Sequence, residues 1–124
     1  MSLEEGIKER FRLYSIRIIK MVDNIPANRV SAWAIAKQVV RSGTSPAANY
    51  RAACIAKSEK DFLNKLKMVE EELDETLFWL QLMVDVEIFP NEKLAPLIQE
   101  TNELLNIIVK SIISTRRHLS QHPE

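Results

Sequence analysis

The sequence predicts an all-α protein that folds as one domain, an antiparallel up-down-up-down four-helix bundle. The chain of 124 residues has only two glycines and five scattered prolines, a composition that disfavours turn-rich β classes. Hydrophobic residues make up 46% of the chain and aromatic residues only 6%, so aliphatic side chains must fill the interior. Four long segments repeat apolar residues at three- and four-residue steps, the spacing that gathers side chains on one helical face. A chain of this length can bury one continuous core.

The first two helices are predicted over residues 3–24 and 31–57. Pro26 and Asn28 interrupt the apolar repeat between them. The buried face of the second helix consists mainly of small residues, which allow a neighbouring helix to approach closely. Pro46 lies inside this helix and lacks the amide hydrogen that an uninterrupted helix uses. We expect a kink near Pro46 within one helix, and a true break is the alternative.

The third and fourth helices are predicted over residues 59–88 and 92–119. Ser58 and Asp61 resemble a capping box, with Asp in place of the usual Glu, and Asn91 is suited to cap the fourth helix. The connections between the helices are short. Short connections between long helices place successive helices antiparallel to one another.

The third helix contains a segment, residues 77–86, that is apolar almost all the way round. One bundle core covers only one face of a helix, so the remaining apolar side chains need a second partner. We therefore expect a homo-oligomer. The predicted subunit interface consists of Phe78, Trp79, Leu82 and Val86.

A line of polar side chains follows the otherwise apolar second helix, and a similar line follows the third helix. If the two faces meet, an arginine and a carboxylate can pair, and Ser45 and Asn49 can bind the backbone groups that Pro46 frees. We interpret the line first as a structural network and second as a binding site. Its members are Arg41, Ser45 and Asn49 on the second helix and Glu72 and Glu75 on the third, with Trp79 one turn further on.

The charges are unevenly distributed although the chain carries 17 basic and 17 acidic residues. The net charge is plus six over residues 29–67 and minus nine over residues 68–104. In an up-down bundle, both chain termini and the junction of the second and third helices share one end, which carries plus five. We call this end the basic pole; it is either a binding site for RNA, DNA or an acidic protein, or a solvated cap. The candidate contact residues are Arg51, Lys57, Lys60, Arg116 and Arg117.

No pattern in the sequence indicates a catalytic or metal site. The Glu-x-x-His pairs of di-iron bundles are missing, because His118 and His122 both lie near the C-terminus. Arg117 and His122 share the Arg-x-x-x-x-His spacing of some helical ribonucleases, but that spacing is common by chance and we expect the tail to fray. Cys54 fits a structural residue better than a reactive thiol. We expect no enzymatic activity, no cofactor, no metal and no small-molecule substrate.

The sequence also predicts a cytoplasmic location. Cys54 is the only cysteine, so no internal disulfide can form, which fits a reducing compartment. The first residues lack the basic and apolar segments of a signal peptide, and no apolar run reaches the roughly 20 residues that span a bilayer. We expect no insertion into a membrane.

Several separated blocks of the middle third of the chain occur together in a fixed order: Arg41–Ser45, Ala48–Arg51, Ala56–Ser58, Asp61–Phe62, Lys65–Leu66 and Glu75–Leu80. These blocks resemble the four-helix-bundle family of 23S rRNA-intervening-sequence proteins. The resemblance implies a small cytosolic bacterial bundle, commonly assembled as a homopentameric ring, whose function is largely unknown. The chain is also similar to the accessory proteins of diversity-generating retroelements, a similarity that implies a ring that binds nucleic acid.

Three hypotheses about function follow. The first is a non-enzymatic oligomeric assembly or adaptor protein of the intervening-sequence type. The alternative is a nucleic-acid-binding module that uses the basic pole. The third is a ribonuclease that uses Arg117 and His122.

Overall fold

Four helices dominate the computed structural model, which describes residues 2–124. They are α1 (Leu3–Asp23), α2 (Val30–Ala53), α3 (Glu59–Asp85) and α4 (Asn91–Gln121), and no strand occurs among the described residues. Within the same part of the chain, no helix is apolar over a length that could cross a bilayer. The all-α class predicted from the sequence is confirmed.

Hydroxyl caps start α1 and α3. The Ser2 hydroxyl accepts a hydrogen bond from the Glu5 amide at 3.1 Å, and the Glu5 carboxylate accepts one from the Ser2 amide. The Ser58 hydroxyl accepts from the Asp61 amide at 3.1 Å, as the sequence predicts. The expectation that Asn91 caps α4 is wrong, because Pro90 takes the extended cap position and Asn91 is the first helical residue.

Helix α2 runs through Pro46 without interruption, so the alternative of a true break is wrong. The helix ends at Ala53 rather than at residue 57. Residues 54–57 form tight turns instead, because Ser58 must adopt an extended backbone to cap α3. The connection between the two helices therefore has five residues, 54–58.

Helix α3 ends at Asp85, three residues before the predicted end. Glu87 takes a left-handed backbone conformation with φ of 62°. The Glu87 amide donates to the Val84 carbonyl and the Ile88 amide to the Met83 carbonyl, the two bonds of a Schellman motif. The buried Ile88 side chain then joins the core and fixes the turn.

The helices form an up-down-up-down bundle in which each helix packs against its two neighbours around a square. The antiparallel order is visible between α2 and α3, where Ser42 contacts Thr76 and Asn49 contacts Glu72. The core consists mainly of aliphatic side chains from all four helices, together with Met83 and the aromatic residues Phe11, Tyr14, Tyr50 and Phe89. The predicted single-domain four-helix bundle is confirmed.

Candidate functional site

The polar line predicted along α2 and α3 comes together on one side of the bundle. The Asn49 side-chain amide donates to both Glu72 carboxylate oxygens, at 3.0 and 3.1 Å. Arg41 pairs with Glu75, and the Trp79 indole donates to the same Glu75 carboxylate at 3.0 Å. Burial raises the pKa of Glu72, against the opposing effects of the Asn49 hydrogen bond and the Arg41 charge. The arrangement fixes the position of α3 against α2.

Ser45 behaves differently from the expectation for this line. Its hydroxyl donates to the Arg41 carbonyl at 2.7 Å, one turn back along the same helix, and Thr44 does the same with the Val40 carbonyl at 2.6 Å. The carbonyl that Pro46 leaves without its amide partner is that of Ser42. The expectation that Ser45 and Asn49 compensate for Pro46 is therefore wrong, because both side chains bind other groups.

The four residues of the predicted subunit interface have two different environments. Trp79 and Leu82 are partly buried against the core, so this core takes more of α3 than the sequence indicates. Phe78 is 55% exposed and Val86 is 39% exposed. The Phe78 ring packs edge-on against Trp79 with 5.0 Å between ring centroids. Phe78 is thus an exposed aromatic side chain held in place by a neighbour.

Acidic side chains flank Phe78 on the outward face of α3. Residues 71, 74, 78 and 85 repeat at helical spacing and form one stripe. Glu71, Asp74 and Asp85 are exposed, and none of them forms an ion pair within residues 2–124. We call this set the α3 stripe: Glu71, Asp74, Phe78 and Asp85.

All five candidate residues of the basic pole are exposed, and none is paired with a carboxylate in the described part of the chain. Lys60 lies in the first turn of α3, and Arg116 and Arg117 lie near the end of the adjacent α4. Arg51 instead lines a groove between α1 and α2, where Glu5 and Glu9 are present beside the basic side chains. The five therefore share one end of the bundle but lie on more than one side of it.

The end of the chain is tied to α3 rather than frayed. The Glu124 side-chain carboxylate accepts hydrogen bonds from the Glu59 amide at 2.7 Å and from the Lys60 amide at 3.0 Å. These bonds lower the pKa of Glu124. The His118 ring nitrogen Nδ1 lies 2.7 Å from a Glu59 carboxylate oxygen. The expected fraying of the tail is wrong, because Glu124 caps the start of α3, which is distant in the sequence.

His122 is the residue that caps the C-terminal end of α4, and its ring stacks on the His118 ring with 4.5 Å between ring centroids. Its imidazole therefore has a histidine as its aromatic neighbour, and Arg117 is exposed on the preceding turn. The ribonuclease hypothesis stays a prediction.

A shallow groove between the end of α1 and the start of α4 is a feature that the sequence did not reveal. Its volume is about 260 Å³. Arg17, Lys20 and Lys93 are its charged lining residues, and no carboxylate lines it. Its apolar lining residues are Met21, Phe89, Leu94 and Leu97. We call it the α1–α4 groove.

The remaining candidate groups are the Cys54 thiol and the possible metal ligands. Burial raises the pKa of the Cys54 thiol, which disfavours the reactive thiolate. Among residues 2–124, no three histidine, cysteine or acidic side chains come together in a group that could hold a metal ion. The distinctive features of the described surface are therefore two exposed aromatic side chains, Trp33 and Phe78, and separated patches of charge.

These features define a small helical-bundle protein. The family model described as 23S rRNA-intervening sequence protein matches residues 7–110, and the chain belongs to that family. The family resemblance stated from the sequence is confirmed.

A solved structure supports the same assignment. It is a protein of unknown function from the S23 ribosomal protein family of Bacteroides thetaiotaomicron, with 29% sequence identity and a TM-score of 0.82. The match covers 88% of this chain and 96% of that chain. No curated protein matches this chain. The similarity to retroelement accessory proteins stays a prediction.

Proposed function

We propose that this protein is a non-enzymatic assembly or adaptor protein that acts as a homo-oligomer, with the outward face of α3 in the subunit interface. The observation that carries the proposal is Phe78, which is 55% exposed while its neighbours Trp79 and Leu82 pack on the core. Aromatic side chains at the centre of an interface contribute strongly to binding. A pentameric ring is the state that the family resemblance favours.

Light scattering during gel filtration tests the oligomeric state. We expect the wild-type protein at micromolar concentration to have several times the mass of one chain, which is 14.3 kDa. A Phe78→Ser protein should lose that assembly and retain its helical circular dichroism, since Phe78 lies outside the core.

Ile113→Ser is the matched control, because Ile113 on α4 is 51% exposed and also apolar. It should assemble like the wild type. A monomeric wild-type protein refutes the proposed function. Equal masses for the wild type and the Phe78→Ser protein refute the role of Phe78.

The second candidate function is binding of nucleic acid at the basic pole. It is supported by the exposure of four bases near the α3 start and the α4 end and by their lack of ion pairs within residues 2–124. Phosphate contacts by such bases release counterions, so the affinity should fall steeply as salt rises. The four bases are Lys57, Lys60, Arg116 and Arg117.

Fluorescence anisotropy with a labelled single-stranded RNA and a labelled DNA duplex tests this function. Reversing the four bases to Glu should abolish binding and leave helicity and oligomeric mass intact. Single reversals form a matched pair: Lys60→Glu should weaken binding, and Lys37→Glu on the exposed side of α2 should not. Unchanged binding by the fourfold variant refutes the assignment.

A further inference from the structure

The charged residues that line the α1–α4 groove are all basic. Arg17, Lys20 and Lys93 line it, no carboxylate does, and none of the three bases forms an ion pair in the described part of the chain. The groove between α1 and α2, in contrast, places Glu5 and Glu9 beside its bases. A site of this kind favours an acidic partner.

The floor of the groove adds a second requirement. It is apolar, and the Lys93 ammonium lies 5.5 Å from the centre of the Phe89 ring. A fitting partner therefore carries an apolar group with carboxylates on either side. Three bases around an apolar centre match that description in both charge and polarity.

The α3 stripe of the same chain has this composition. Phe78 is exposed at its centre, Asp74 lies one helical turn before it, and Asp85 lies two turns after it, with about 16 Å between the two aspartates along the helix axis. Glu71 adds a third carboxylate at the same face. The stripe is net acidic and the groove is net basic, so the two are complementary across two copies of the chain.

A symmetric contact between two α3 stripes is disfavoured by the same charges. Three carboxylates on one stripe would face three on the other, and like charges across an interface are repulsive. The stripe and the groove lie on different helices, so a contact between them joins two different surfaces. Such a head-to-tail contact can repeat around a closed ring.

We propose that the α1–α4 groove of one subunit receives the α3 stripe of the next subunit, with Phe78 over the apolar floor and the carboxylates against Arg17, Lys20 and Lys93. This inference rests on the proposed homo-oligomer. It identifies the α1–α4 groove as the surface of the neighbouring subunit that α3 contacts, which the proposed function leaves open.

Charge reversal on each side tests the contact. The groove variant is Arg17→Glu/Lys20→Glu/Lys93→Glu, and the stripe variant is Glu71→Lys/Asp74→Lys/Asp85→Lys. Each variant should weaken self-association by at least about tenfold, because like charges then face each other. The variant with all six changes should recover the wild-type mass, because the two surfaces are again complementary.

The measurements are mass by sedimentation velocity and helicity by circular dichroism, both at micromolar concentration. Lys57→Glu/Lys60→Glu/Lys110→Glu is the control for net charge, because it makes the same total change with three exposed lysines outside the groove. It should keep the wild-type mass. A second assay mixes the groove variant with the stripe variant. Only contacts between unlike variants are then attractive, so the mixture should form heterodimers or longer alternating oligomers although neither protein assembles alone, and it should not form a closed ring with an odd number of subunits.

Each outcome decides between the two proposals. A monomeric wild type refutes the proposed homo-oligomer itself. A wild-type oligomer with an unaffected, folded groove variant overturns the groove inference alone, as does a folded sixfold variant that stays monomeric. If the groove variant loses helicity, Arg17→Gln/Lys20→Gln/Lys93→Gln replaces it. If the stripe variant does, Glu71→Gln/Asp74→Asn/Asp85→Asn replaces it. Retention of the full wild-type affinity by a replacement protein overturns the inference.

Discussion

Helix α1 contacts its two neighbours in different ways. On the α2 side the backbones are close, because a Cβ atom on Gly43 would lie only 2.8 Å from the Cγ2 atom of Ile18. On the α4 side the two backbones come close at only a few positions, and long side chains bridge the space between the helices. There the Tyr14 and Thr101 hydroxyl oxygens are 2.6 Å apart in the core. The close packing of α1 on α2, the close seam, requires that Gly43 has no side chain. The contact between α1 and α4, the wide seam, requires long side chains.

The wider seam also has a directed chain of hydrogen bonds. The single proton of the Thr101 hydroxyl is donated to the Leu97 carbonyl at 2.8 Å, so Tyr14 must donate to Thr101. Further along the seam, Arg10 makes a bidentate pair with Glu100 at 2.7 and 2.8 Å. These side-chain contacts hold α1 and α4 apart. The α1–α4 groove lies between the same helices, at the end of α1 and the start of α4. It thus lies in the wide seam, at the end away from these contacts.

The largest expected effect is on the wide seam. Thr101→Val removes the acceptor of the buried Tyr14 hydroxyl while preserving side-chain shape, and an unsatisfied buried donor costs about 1–3 kcal/mol. Urea unfolding followed by circular dichroism measures the change in the free energy of unfolding. Tyr14→Phe removes the donor instead and should cost less, about 0.5–1.5 kcal/mol. Equal stability of Thr101→Val and the wild type would contradict the assigned direction of this bond.

The next effect is on the close seam. Gly43→Ala places a methyl group against three Ile18 side-chain carbons, and a β-branched side chain in a helix has little freedom to move away. Overpacking costs about 1–3 kcal/mol and the better helix propensity of alanine returns about 1 kcal/mol, so we expect a net loss of up to about 2 kcal/mol. The same unfolding measurement checks it.

A double-mutant cycle provides the control for Gly43. In an Ile18→Ala background the added methyl group has space, so Gly43→Ala should be neutral or stabilising there. If Gly43→Ala were equally destabilising in both backgrounds, overpacking against Ile18 would not be the cause of the loss.

A smaller effect is expected at the outer edge of the wide seam. Arg10→Ala removes the bidentate pair with Glu100, but the Arg10 side chain is partly exposed and solvent screens the pair. We expect a loss of about 0.2–1 kcal/mol that shrinks as salt is raised. Unfolding curves at low and high salt measure it, and a loss that does not depend on salt would point to lost packing of the arginine stem instead.

The smallest effect concerns pH and the seam between α2 and α3. Burial raises the pKa of Glu72 in the folded protein above that of an unfolded glutamate. The folded state then binds the proton more tightly, so the contribution of Glu72 to stability is present at low pH and is lost as pH rises through its folded pKa. Glu72→Gln should remove this part of the pH dependence. Unfolding curves from acid to neutral pH that differ by a constant between the two proteins would contradict it.

Features that depend on local sequence could be predicted. Ser58 and Asp61 are close in sequence, and a cap of this kind requires only the first turn of the helix. Arg41, Asn49, Glu72 and Glu75 could be paired because helical periodicity places each on a face and the up-down order brings the faces together. In both cases the distances involved are set by one helix or by two consecutive helices.

Features that depend on long-range register could not be predicted. Glu87 takes a left-handed conformation although it is not a glycine, and the burial of Ile88 determines that turn. The bond from Glu124 to the start of α3 joins residues that are more than sixty positions apart. The α1–α4 groove combines Arg17 and Lys93 from the first and last helices, whose relative height no local pattern specifies.

The edge-on packing of Phe78 on Trp79 gives the molecule an optical reporter. The Trp79 indole is partly buried and donates a hydrogen bond to Glu75. The exposed Trp33 indole, near the start of α2, instead donates to the carbonyl of Ala27 in the preceding turn. A Trp33→Phe protein would emit from Trp79 alone. Covering Phe78 would exclude water from that indole and shift its emission to shorter wavelength, so a dilution series in a fluorimeter follows the exposure of α3 without any label.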